Sequence, residues 1–191
     1  MGSSSGASIG LTSAERLALD GLFHKHGYTD YKWIDPKRII VRQWVRMKCL
    51  FGCEEYGHSG SCPPNTPSVT ECERFFQEYH DGVVLHFRKA VDRPEDRHAW
   101  TRKVNRKLLE LEREVFLSGQ ERAFLLFMDS CSLCEECAER REECRNPKLS
   151  RPAPEAMAVD VFSTVRAVGF PIEVKDEYTQ QMDRYAILLV R

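Results

Sequence analysis

Apolar residues recur at helical spacing near the start of the chain. Ala14, Leu17, Ala18 and Leu22 repeat until Gly27, and Thr12 with Glu15 three positions later makes a capping box. The pattern predicts a helix over residues 13–26. From Arg38 to Met47 the period changes: Ile39, Val41, Val45 and Met47 alternate with Ile40, Arg42, Trp44 and Arg46, which reads as a strand with two unlike faces. The stretch 51–67, rich in Gly, Pro and Ser, has no period and reads as a loop.

Ser68 and Glu71 form a second capping box, followed by the helical stripe Val69, Cys72, Phe75, Phe76 and Tyr79. Val83 to Phe87 reads as a strand. Asp92 and Pro94 open a long helix with Trp100, Val104, Leu108, Leu111 and Val115 on one side, stopped at Ser118-Gly119. A short apolar strand is expected over Ala123 to Met128. A helix opened by Pro154, carrying Ala156, Val159, Phe162 and Val165, should close at Gly169. Two further strands are expected, Ile172 to Val174 and Tyr185 to Val190. The alternation predicts an α/β (or α+β) fold: a mixed sheet of about five strands, covered by helices on at least one face. Two cysteine-rich loops, 49–67 and 129–151, would project from strand ends. Residues 1–11 read as a flexible tail or cloning remnant, and 12–191 as a single metal-binding domain.

Composition narrows the function. The chain has 191 residues, 42% hydrophobic and 10% aromatic, enough to bury a core without staples. With 30% charged residues and a net charge of -1, it lacks the basic surplus of a general nucleic-acid binder. Neither a secretory signal nor a membrane-spanning apolar run is visible, and Gly6 stands where a myristoylation signal wants Ser or Thr. The expectation is a cytoplasmic protein that touches neither membrane nor nucleic acid. In a reducing compartment its eight cysteines point to metal rather than disulfides.

The strongest chemical pattern is Cys131, Cys134 and Cys137, then Cys144 and Pro147, four thiols within fourteen residues. Two-residue gaps let successive sulfurs reach different irons of one cubane, and the triple repeat matches the start of a bacterial ferredoxin run, whose fourth cysteine comes sooner. Zinc sites more often use two separated pairs. The spacing favours a [4Fe–4S] cluster, with zinc and redox-active thiols as alternatives.

The other group is Cys49, Cys53 and Cys62-Pro63-Pro64, three thiols without an evident fourth ligand. Cys72, His58, a cysteine borrowed from the other group, or no protein ligand at all remain open. Cys72 shares an apolar stripe with Val69 and Phe75, so a buried core thiol competes with ligation. A radical-SAM spacing requires a shorter second gap than the eight residues between Cys53 and Cys62.

With both groups in view the chain resembles a prokaryotic family of predicted metal-binding proteins, a domain of unknown function, from about Ile40 to Val174. The resemblance rests on Lys48-Cys49, Cys53, Tyr56-Gly57, Cys62-Pro63-Pro64, Pro67, Tyr79 and the run Leu111 to Phe116. It continues through Cys131, Cys134, Cys137, Cys144-Arg145-Asn146-Pro147, Glu155-Ala156 and Asp160-Val161. It departs at Asp129-Ser130, where the family has a small, glycine-containing approach, and at Ala158-Val159, where a glycine is expected. The resemblance implies metal, of iron–sulfur type, in anaerobe-type metabolism. It supplies no reaction.

Arg102, Lys103, Arg106 and Lys107 form a basic patch on the long helix, either a solvated face or a docking surface for an acidic redox partner. Glu135, Glu136, Glu139, Glu142 and Glu143 crowd the second cysteine group, and their charge should lower a reduction potential there. Phe51, Tyr56, Trp33 and Trp44 could shield a cluster, with Trp44 expected in the core. The reading is a protein carrying one or two [4Fe–4S] clusters for electron transfer or as a redox accessory, with a redox partner protein. An enzyme with an open-site cluster at Cys49/Cys53/Cys62 and a structural zinc-binding interaction protein are the alternatives. Whether the chain is an enzyme, and its oligomeric state, stay open.

Overall fold

The computed structural model describes residues 10–177 and 179–191. Most of the tail expected over residues 1–11 therefore lies outside the described residues. Leu11, at its end, is buried, and its backbone N–H donates to Asp81 Oδ2 at 2.7 Å.

Four strands form one antiparallel sheet in the order β1-β2-β4-β3: β1 Tyr31–Ile34, β2 Gly82–Lys89, β3 Phe124–Leu126 and β4 Met182–Leu189. Its two faces read directly from the period of two. Val84, Tyr185, Ile187 and Leu189 face a core shared with Phe76, Val161 and Val165, whereas Val83, Leu85, Ala186 and Leu188 face Leu19, Phe23, Leu108 and Leu111. Helices α1 Ser13–Lys25 and α4 Pro94–Leu117 thus cover one face, and α3 Val69–Gln77 and α5 Val161–Ala167 the other. Each fully buried aliphatic or aromatic side chain here stabilises the fold by about 2 kcal/mol. Both capping boxes are formed, Thr12 with Glu15 and Ser68 with Glu71. Among the described residues no helix is long and apolar enough to cross a membrane.

Four expectations are corrected. The sheet is wholly antiparallel with four strands rather than mixed with five. The alternating stretch 38–47 is not a strand: after a 3₁₀ turn at Pro36–Arg38, only Val41 pairs, in an isolated bridge with Val159, and helix α2 runs Gln43–Gly52. The segment 172–174 forms no strand, because both sides of β4 are already taken by β2 and β3; Ile172 is buried instead against the core that includes Tyr185. The helix expected from Pro154 breaks in two. A 3₁₀ turn at Glu155–Met157 ends on Ala158 at φ 59°, and Asp160 restarts the chain as N-cap of α5, accepting from the Ser163 N–H at 3.0 Å. A fourth strand, β1, falls where none was expected. The first cysteine group consequently begins inside a helix, and only the second follows a strand.

Candidate metal centre

Cys49 lies on the last turns of α2, and Cys53 caps that helix four residues on. Beyond it the chain folds through tight turns: the Gly57 N–H donates to Pro63 O at 2.9 Å and the Cys62 N–H to Ser59 O at 3.1 Å. Gly57 takes φ 80°, the left-handed conformation that suits glycine, and the Pro63–Pro64 bond is cis. These turns bring Cys62 back to the helix. Cys49, Cys53 and Cys62 line one cavity of about 220 Å³, together with Glu55, Tyr56, Arg97, Asp129 and Glu155.

Arg46 holds the walls of that cavity together. Its guanidinium donates to Thr66 Oγ1 at 3.1 Å, to Pro67 O at 3.0 Å and to Ala156 O at 3.1 Å, and Thr66 Oγ1 donates to Ala156 O at 3.0 Å. Helix α2, the segment after the turns and the 3₁₀ turn bearing Glu155 are thereby joined at one charge. The Arg42 N–H to Ala158 O and the Asp160 N–H to Ile40 O, at 2.9 and 2.7 Å, complete the joint.

The thiols differ in setting. Cys53 is exposed, Cys49 half-buried and Cys62 buried. Burial raises the Cys49 thiol, with Cys53 adding to the rise and Arg46 opposing it. Cys62 is pushed up to about 12 by burial, against a hydrogen bond from Ser59. A metal's positive charge in the cavity would favour the Cys62 thiolate against that burial. Glu155 is exposed at the rim of the cavity; the protein packed around it pushes its carboxyl up, its own backbone N–H and Arg184 opposing and Asp129 reinforcing.

Cys72 is elsewhere. It is fully buried in the core under α3, its thiol 3.5 Å from Pro67 O and 3.9 Å from Met157 Sδ, and it does not line the cavity. His58 is exposed, with Nδ1 3.1 Å from Glu139 Oε1 of the second cysteine segment. Trp33 packs beside Phe23 with Nε1 donating to Asp20, on the α1 face rather than at the cysteines. Trp44, expected in the core, is 46% exposed beneath the Lys48 ammonium.

The second group hangs on α4. Asn105 is fully buried and pairs with both backbone groups of Met128, donating to O at 3.0 Å and accepting from N–H at 3.2 Å. Glu112 accepts from the Leu125 N–H at 2.8 Å and from Arg151 Nε at 2.9 Å. Edge strand β3 is thus closed by helix side chains. The chain then turns at Asp129, φ 57°, where Thr101 donates to Oδ2 and Arg184 pairs with Oδ1. Asp129 and Ala158, which fall within the two segments where the resemblance leads to an expectation of glycine, adopt left-handed φ. Half of the basic patch has a structural use: Arg102 donates to Ser132 O at 2.7 Å and Arg106 reaches Leu133 O at 3.5 Å. Cys131, Cys134 and Cys144 are half-buried and Cys137 exposed; Asn146 donates to Cys134 Sγ at 3.0 Å.

The two cysteine segments touch. The Gly60 N–H donates to Cys137 Sγ at 3.5 Å, and Asn65 Nδ2 donates to Glu139 O at 2.8 Å. A Cβ on Gly60 would stand 3.1 Å from Arg140 O, close enough to push that backbone back by a few tenths of an ångström. Among the described residues, no three Cys, His, Asp or Glu side chains are gathered closely enough to hold a single metal ion.

A family model described as predicted metal-binding protein (DUF2284), a domain of unknown function, matches residues 32–190. The chain belongs to this family of predicted metal-binding proteins. Neither a curated protein nor a solved structure matches it. The match covers both cysteine groups, all four strands but the first residue of β1, and every side chain lining the cavity.

The residue that sequence reasoning missed is Glu155. Its only signal was the Glu155-Ala156 pair within the resemblance, which carries no hint that the turn lies against Cys49.

Proposed function

We propose that residues 12–191 form one metal-binding domain that carries iron–sulfur clusters for electron transfer, as an accessory to a larger redox system in the cytoplasm. Cys49, Cys53 and Cys62 would hold one cluster, and Cys131, Cys134, Cys137 and Cys144 a [4Fe–4S] cluster. The observation that carries this reading is the cavity itself: three thiols from a helix and a distant turn surround about 220 Å³ of space. A tetrahedral zinc ion with bonds of 2.3 Å draws its sulfurs to within ~3.8 Å of one another, whereas a cluster spreads them over several irons. Three thiols lining a volume larger than an ion, and not gathered around one point, suit the cluster. When bound, such a cluster supplies one-electron chemistry.

The residues around it have their own tasks. Arg46 fixes the walls, Cys62 is shielded from solvent, and Gly60 and Asn146 donate N–H groups to sulfurs of the second group, a contact that favours the reduced state of a cluster. The Gly60 contact also links the two segments, which supports passage of an electron between them. A redox partner protein belongs to this reading; the exposed Trp44, Met47 and Phe51 lie along α2 at helical spacing beside Cys49 and offer it an apolar surface.

Anaerobic purification tests the proposal. A brown chain whose visible absorption bleaches on reduction, with iron and acid-labile sulfide in equal amounts, is the expected result. A colourless chain holding zinc overturns it.

A further inference from the structure

We infer that the Glu155 carboxylate is the fourth ligand of the metal group held by Cys49, Cys53 and Cys62. The inference rests on the iron–sulfur reading of that cavity and deepens it. None of the ligands that the sequence suggests for this place lines the cavity. Cys72 is fully buried against Met157 and Pro67. His58 is exposed and faces Glu139. Cys137, the cysteine of the second group that meets the first segment, is turned to the Gly60 N–H.

The side-chain oxygen donors that do line it are Glu55, Tyr56, Asp129, Ser130 and Glu155. Asp129 is already engaged by Thr101 at 3.0 Å and by Arg184 at 3.3 Å. Tyr56 and Ser130 offer only a phenol and an alcohol, weaker donors than a carboxylate. Glu55 is exposed, as Glu155 is, but it sits among exposed neighbours, Cys53, Glu54 and Gly57, on the turns beyond α2.

Glu155 differs from all of these. Its 3₁₀ turn is anchored from both sides, since Ala156 and Met157 are buried and the Ala156 carbonyl takes hydrogen bonds from Arg46 and Thr66. Yet among the described residues its own carboxylate makes no hydrogen bond or ion pair with another side chain. It lies close enough to Cys49 for its charge to act on that thiol. A carboxylate held on a fixed turn, with its own backbone N–H as its hydrogen-bond partner and no other side chain engaging it, in a cavity shared with three thiols is placed to complete a metal's coordination. Being a harder donor than thiolate, it would bind iron less firmly and exchange more readily. One iron of the first cluster would then be the replaceable one, while the second group keeps four thiolates.

The test compares full-length wild type, Glu155→Gln, Glu155→Cys and Glu55→Gln, each reconstituted anaerobically with iron and sulfide. Readouts are iron per chain and the electron paramagnetic resonance spectrum after mild oxidation. The inference expects Glu155→Gln to hold about one iron fewer than wild type and to show a three-iron signal. Glu155→Cys should keep that iron through the same oxidation, and Glu55→Gln should match wild type. If Glu155→Gln fails to fold, Glu155→Cys still decides: resistance to iron loss supports ligation, and behaviour identical to wild type overturns it. Iron-loaded wild type with an unchanged Glu155→Gln overturns the inference alone. Zinc without iron in the wild type overturns the iron–sulfur reading and the inference with it.

Discussion

The two cysteine groups are built in opposite ways. The first is assembled from distant pieces that the fold already holds: a helix end, a closed set of turns and a 3₁₀ turn, joined at Arg46. The second is contained in one short stretch, with few backbone hydrogen bonds of its own beyond Arg140 to Ala138, Cys144 to Arg141, and Leu149 and Ser150 to Asn146. Its order is borrowed from α4 at one end, through Asn105, Arg102 and Thr101. A site whose ligands are spread through a fold can keep its shape without metal. A site whose ligands are adjacent in sequence depends on the metal to fold its own segment.

The difference should be greatest on metal removal. Chelation is expected to expose residues 131–150 to proteolysis and to raise amide exchange there by at least about tenfold, while α2 and the turns before Cys62 change little. Equal loosening of both segments would erase the distinction. Next in size is Arg46→Ala, which removes three hydrogen bonds to a charged group. It should cost about 3 kcal/mol and lower the melting temperature by roughly 10 °C, with metal lost from the first group only. Asn105→Ala is the counterpart for the second group. Leaving the Met128 N–H and C=O unpaired should cost about 2 kcal/mol, and iron should be lost from the Cys131 to Cys144 segment while the first is spared. The smallest effect belongs to Cys72→Ala, expected to cost about 1 kcal/mol through lost packing with the iron content unchanged. A drop in iron there would return Cys72 to the ligand set.

How much of this could be read in advance follows the same division. Local signals were reliable: both capping boxes, the α4 stripe, and the strands at 82–89 and 182–189 depend on neighbours in sequence. The expectation for the second cysteine group is of the same local kind, since it rests on spacing alone. Helix α2 was misread because its N-cap, Arg42, makes no side-chain capping hydrogen bond, so nothing marks the start. Ile39, Val41 and Val45 alternate only because Val41 crosses to Val159 before the helix begins. Strand β1 is four residues long and mostly half-buried, too short to show a period. The break after Met157 was hidden because Ala158 holds a left-handed turn that glycine would have announced. Glu155 was out of reach for a different reason: its part in the first cavity exists only once residues a hundred positions apart are brought together.

The most direct test of two distinct iron–sulfur sites is a count of iron, labile sulfide and zinc in wild type, Cys62→Ser and Cys134→Ser, purified side by side without oxygen. The account predicts about eight irons and eight sulfides in wild type, and about half of each in either variant, with the remaining cluster spectroscopically different in the two. Zinc in place of iron, or variants that leave the same residual cluster, would contradict it.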